Sequence, residues 1–254
     1  MSGDVDLGSD DLIVALVEGL ARLVEHVPAG EFAVIGGLAV LTALEGAHRV
    51  TEDVDTVAEQ HGENPTVVEI AMAAPGAQFA GLKIDCIGVG ETAAADIVES
   101  ELPESELDRA FVLAHRWAFD SAEHGTLLAR RADESSIRVI CRFARPASLV
   151  SMKLQSAPRR RGQRSYKAGG DYFDIYRLLS HPALVRPIAE AFREAPHDLG
   201  DWSVQEIEKR MVEDPGRVSA VIGRSGVAGR GAPTADDIRD AGGGFLDIWE
   251  NGPV

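Results

Sequence analysis

Cysteine is nearly absent. Cys86 and Cys141 are the only two in 254 residues, and neither has a second cysteine or a histidine at ligand spacing. A disulfide framework and a zinc site are therefore not expected, and both thiols read as buried apolar groups of a reducing compartment. Long apolar runs are missing too: no stretch approaches roughly eighteen residues, the length a membrane helix needs. The first residues, MSGDVDLGSDD, are acidic where a secretory leader would be basic and then apolar. A cytoplasmic protein with no membrane partner is expected. Cations are outnumbered, 25 Lys and Arg against 41 acids, and the net charge of -16 weighs against a polyanionic partner. The distribution tempers that exclusion. From residue 130 to 167 eleven cations face two acids, Asp133 and Glu134, which predicts a basic face, either a solvated surface or a phosphate-binding one.

What is present suffices for a core, with 45% hydrophobic residues. Residues 11–27 repeat apolar positions at three and four, a helix capped by Ser9 or Asp10. After Pro28-Ala29-Gly30, EFAVI reads as a strand ending at Gly36-Gly37, and 38–44 as a helix. Alternation over 50–58 and 81–89 predicts two more strands, and 126–131 with 137–143 a strand pair. Helices are expected over 67–73, 105–122, 146–154, 171–179, 183–194 and 203–211. A basic loop spans 158–170, and a glycine-rich, poorly patterned tail runs from 223 to 254. No internal repeat is found. The fold class is α+β: a small mixed β-sheet flanked by helices over 1–145, followed by a mostly helical half over 146–254.

Asp53 and Asp55 lie two apart in one strand and so share a face, and Asp85 lies in the next. Buried acids are costly unless paired or metal-bound. If the two strands are neighbours, the three carboxylates converge, and a shared divalent cation offsets their repulsion. Oxygen ligands without thiolate or histidine favour Mg2+ or Mn2+ over zinc, bound together with a substrate's phosphates. Gly36 and Gly37 let backbone N–H groups at a helix start approach such a phosphate. Alone, each feature is as compatible with a plain turn or a solvated strand edge; together they point to phosphate chemistry.

The stretches IGGLAV, HRVTEDVD and LKID resemble the nucleotidyltransferase fold superfamily. The longer glycine-to-aspartate gap, with PASLVSMKLQSA and KAGGDYFDIYRLL, resembles more narrowly the AbiEii-type nucleotidyltransferase toxins of type IV toxin-antitoxin systems. The likeness covers about residues 31–180. It implies transfer of a nucleoside monophosphate from an NTP to a hydroxyl, with release of pyrophosphate. Asp53 and Asp55 would hold the metal ions, and Asp85 would share one near the acceptor and help take its proton. Lys153, with Arg49 as a helper, would contact phosphate, and Asp171 and Asp174 would orient the lysines of a C-terminal region that completes the active-site cleft. Many relatives carry a serine near the glycines, where Leu38 and Ala39 stand here, and an aliphatic residue where Thr56 stands.

For the acceptor, the resemblance and the cluster Arg159, Arg160, Arg161, Arg164 and Lys167 favour RNA, especially a tRNA 3′ end. Tyr166, Tyr172 and Phe173 lie close enough for base stacking. A protein hydroxyl, including that of a cognate antitoxin, remains an alternative, as does a non-catalytic binding role on the same fold. A small-molecule nucleotidyltransferase would need an acidic acceptor pocket, whereas the region near Lys153 is basic.

Overall fold

The computed structural model describes residues 4–46, 51, 53–74, 83–160 and 165–252. These divide into two compact units, one drawn from Met1–Ile97 and His115–Arg145, the other from Val98–Ala114 and Pro146–Val254. In chain order the first unit holds β1 (Asp4–Asp6), α1 (Asp11–His26), β2 (Phe32–Ile35), α2 (Gly36–Ala43), β3 (Asp53–Glu59), α3 (Val67–Ala73) and β4 (Lys83–Val89). Helix α4 (Glu106–Asp120) straddles the division, and β5 (Glu123–Arg130) and β6 (Ser136–Phe143) complete the first unit.

The six strands form one mixed sheet in the order β1-β5-β6-β2-β3-β4. Central β2 is buried on both faces, which is why FAVI is an unbroken apolar run rather than an alternating one. It pairs parallel to β6 and antiparallel to β3, and β3 runs parallel to β4. Helix α1 packs on β5 and β6 through Leu16, Leu20 and Leu23, all fully buried. Its start is fixed by Asp10, whose carboxylate accepts the Leu12 N–H at 2.9 Å. Strand β1, parallel to β5, has no counterpart in the sequence reading, because three residues are too few to show a period.

The second unit is helical: α5 (Pro146–Ser156), α6 (Ser165–Leu179), α7 (Val185–Arg193), α8 (Leu199–Ile207), α9 (Pro215–Ser225) and α10 (Ala235–Asn251), with a π-helical turn at Glu208–Glu213. Helix α5 is buried from Ala147 to Gln155, polar side chains included. Phe192 of α7 meets Phe245 of α10 edge to face at 5.9 Å, a preferred arrangement of aromatic quadrupoles.

Two expectations change here. Helix α6 begins at Ser165, so the latter part of the expected basic loop is helical, and Ala157–Arg159 is a short 3-10 turn. The expected unpatterned tail contains the end of α9 and the whole of α10, which starts with a capping box between Thr234 and Asp237. No helix among the described residues is long and apolar enough to cross a membrane. Both cysteines are free, and burial pushes the Cys141 thiol far above its ordinary value.

Candidate metal and nucleotide site

The register of β3 decides the geometry of the site. Asp55 stands opposite Ile35 of β2 on one side and opposite Asp85 of β4 on the other, while Asp53 stands opposite Lys83. Period-two alternation buries Val54 and leaves Asp53 and Asp55 half-buried on the other face. One carboxylate oxygen from each of Asp53, Asp55 and Asp85 lies within 4.8 Å of the others. The sheet thus brings together the three acids that the sequence nominated. At such separations their mutual repulsion calls for a nearby cation.

Lys83 supplies one such charge. Its ammonium forms an ion pair with Asp85, and that hydrogen bond, with the added charge of Asp53 and Asp55, holds Lys83 above the usual lysine range. The lysine side chain is 65% exposed, so an incoming ion can displace it. Lys83 was not among the nominated site residues, although its place two before Asp85 in a strand puts both on one face. The donor set is oxygen only, which fits magnesium or manganese.

Gly36 opens α2 directly beside this cluster. Its φ of +66° lies in the left-handed region, and a Cβ there would lie 2.8 Å from the Asp55 Cβ and Cγ and closer still to its carboxylate oxygen. Glycine is therefore demanded twice, by backbone conformation and by space. Ile35, the residue before α2, makes no side-chain cap, so no side chain at that position takes up the first N–H groups of the helix. Thr56 is buried and donates to the Asp85 carbonyl at 3.1 Å, tying β3 to β4 beneath the acids.

Gly37, the second residue of α2, is buried, and the remaining nominated residues lie in the helical unit or outside the described residues. Lys153 of α5 is buried, its Nζ 2.7 Å from Asp174 Oδ2 and 3.4 Å from Asp171 Oδ1, both on α6. Asp171 also accepts from Ser156 at 2.9 Å and pairs with Arg160. Arg159 pairs with Asp108 at 2.5 Å, and Lys167 is partly buried. Arg49, Arg161 and Arg164 lie outside the described residues.

The expected continuous basic face is divided between the units. Four of the five cations in its first part are in ion pairs: Arg130 meets Asp6 at 2.5 Å, Arg131 meets Glu18 at 2.7 Å, Arg138 meets Asp4 at 3.4 Å and Arg145 meets Glu123 at 3.3 Å, while Arg142 donates to the carbonyls of Gly30 and Phe119.

A family model described as nucleotidyl transferase AbiEii toxin, type IV TA system, matches residues 19–218. The chain belongs to the AbiEii family. Neither a curated protein nor a solved structure matches it. AbiEii proteins are nucleotidyltransferase toxins of toxin-antitoxin systems, so the family implies a nucleotide substrate and an antitoxin partner. The matched span contains the acidic cluster, the Gly36 bend and the Lys153 network. In this AbiEii chain Leu38 and Ala39 are core residues, so no side-chain hydroxyl stands at those positions beside the glycines.

Proposed function

We propose that this AbiEii protein transfers a nucleoside monophosphate from an NTP to an RNA hydroxyl, with a tRNA 3′ end as the preferred acceptor. The acceptor oxygen forms a bond to the α-phosphorus, the bond from that phosphorus to the bridging oxygen of the β-phosphate breaks, and pyrophosphate leaves. A magnesium or manganese ion held by Asp53, Asp55 and Asp85 supplies charge neutralisation for the triphosphate and the developing oxyanion.

The chain's own groups do the rest. Asp85, at the open edge of the cluster on the last strand of the sheet, accepts the proton from the acceptor hydroxyl. Backbone N–H groups of Gly36 and Gly37 bind a phosphate at the start of α2, where the helix dipole favours negative charge. Lys83 leaves Asp85 when substrate enters and becomes available to a phosphate oxygen. Lys153, which the resemblance assigns to phosphate, has a structural part as well, supported by its burial between Asp171 and Asp174.

One observation carries this reading: three carboxylates converge from two adjacent strands beside a glycine that tolerates no side chain. Incubation with each of four α-labelled NTPs, magnesium and total tRNA tests it. Label is expected on RNA from one preferred NTP, and Asp53→Ala should abolish it. Label appearing on protein instead would favour a protein-modifying enzyme, and no label from any NTP would favour a binding role. Induced expression should arrest growth with the native chain and not with Asp53→Ala.

A further inference from the structure

The helical unit contains a cavity of about 730 Å³ lined by none of the residues assigned to metal or nucleotide above and, of the basic cluster that favoured RNA, by Arg160. Its walls come from α6, α9, the 3-10 turn after α5 and the π-helical turn, and five cations line it: Arg160, Lys209, Arg210, Arg217 and Arg224. Two acids, Glu213 and Asp214, oppose them. In a chain of net charge -16 this local excess of positive charge is a departure from the average surface.

The cations are not equivalent. Arg210 is fixed by Glu206 and by the Tyr172 hydroxyl, to which it donates at 2.8 Å. Arg217 and Arg224 are exposed and form no ion pair among the described residues. They stand seven residues apart on one face of α9, about 10 Å along its axis, too far to serve a single phosphate. Tyr166, 57% exposed, lines the same cavity and offers a ring face. A π-turn supplies Lys209, Arg210 and Glu213; such turns are rare and cluster at functional sites because the wider turn re-aims side chains. Gly169 permits the close approach of α6 to α9, since a Cβ there would run into Ser225 and the Val221 carbonyl.

We propose that this cavity binds a single-stranded segment of RNA, with successive phosphates on Arg217 and Arg224 and one base stacked on Tyr166. Spaced cations beside an exposed aromatic ring match a flexible strand, whereas a duplex is too wide for a cavity of this volume. That the strand is the acceptor rests on the transfer reading above; that it binds does not.

The test is fluorescence anisotropy of a labelled ten-nucleotide RNA with the full chain in EDTA, over a series of salt concentrations. Arg217→Glu/Arg224→Glu, both changes at exposed positions, should weaken binding by at least about tenfold and flatten the slope of log K against log salt by about 1.4, at about 0.7 per lost single-strand phosphate contact. Tyr166→Ala should weaken binding about 5- to 100-fold, and Tyr166→Phe should preserve it. Thermal unfolding of each variant confirms that it is folded. Unchanged RNA affinity in the double arginine variant overturns the proposal, as does a nucleoside monophosphate that competes at the same concentration as the RNA. Failure of label transfer with intact arginine-dependent binding would count against the transfer reading and leave this site standing.

Discussion

The α-carbon of Gly36 faces the carboxylate of Asp55 so closely that any side chain there would overlap it. Together with a φ of +66°, this makes residue 36 part of the acidic cluster's geometry rather than a plain turn. Gly36→Ala should cost about 1–3 kcal/mol through backbone strain and displace Asp55. Thermal unfolding should show a drop of about 2–4 °C per kcal/mol, and label transfer should fall by more than the loss of folded protein explains. A fully active, equally stable variant would show that the overlap is relieved at no cost.

In the proposed reaction Lys83 would compete with a divalent ion for Asp85. Its pair with Asp85 is exposed and worth about 1 kcal/mol or less, so Lys83→Met should tighten Mn2+ binding by up to about fivefold in a calorimetric titration. Weaker Mn2+ binding would instead make the lysine a helper of the metal site.

Lys153 offsets two carboxylates that are themselves buried. Lys153→Met leaves Asp171 and Asp174 without it, and removal of one partner of a buried pair costs about 3–5 kcal/mol. Urea unfolding should show that loss. A variant of native stability but poor NTP affinity would assign the lysine to phosphate alone.

His61 and Glu91 form an exposed pair with Nδ1 to Oε1 at 2.7 Å, and the hydrogen bond that His61 donates to Glu91 raises the His61 pKa above its ordinary 6.5. The folded-state value exceeds the unfolded one, so the small stabilisation is fully present below about pH 6.5 and is lost as pH rises through the folded value. An NMR titration should place His61 above 6.5, and Glu91→Gln should return it. A titration unchanged by Glu91→Gln would deny the pair in solution.

Much of the local structure was legible. Residues 67–73 form the helix expected of them, and the FAVI run reads as a strand because a central strand buried on both faces needs no polar alternation. Helix α10 was missed because Gly242, Gly243 and Gly244 each disfavour helix by about 1 kcal/mol relative to alanine. Packing overrides that preference. A Cβ on Gly242 would lie 2.8 Å from the Met211 Cβ, so glycine lets α10 close on the π-turn, and Phe245, three residues on, is fully buried. Arg130, Arg131, Arg138 and Arg145 looked like part of a binding face because their partners, Asp6, Glu18, Asp4 and Glu123, come from other elements.

The order of residues by itself nominated the acids at 53, 55 and 85 and the glycine at 36, and set the strand period that puts Asp53 and Asp55 on one face. These follow from covalent spacing and local backbone geometry, which any short stretch carries within itself. Only the tertiary structure decided that Asp85 pairs across from Asp55, that Lys83 joins them, that 98–114 belongs with the helical unit, and which arginines are neutralised. Those are pairings between residues distant in the chain, set by packing free energies summed over the whole core, and no local pattern encodes them.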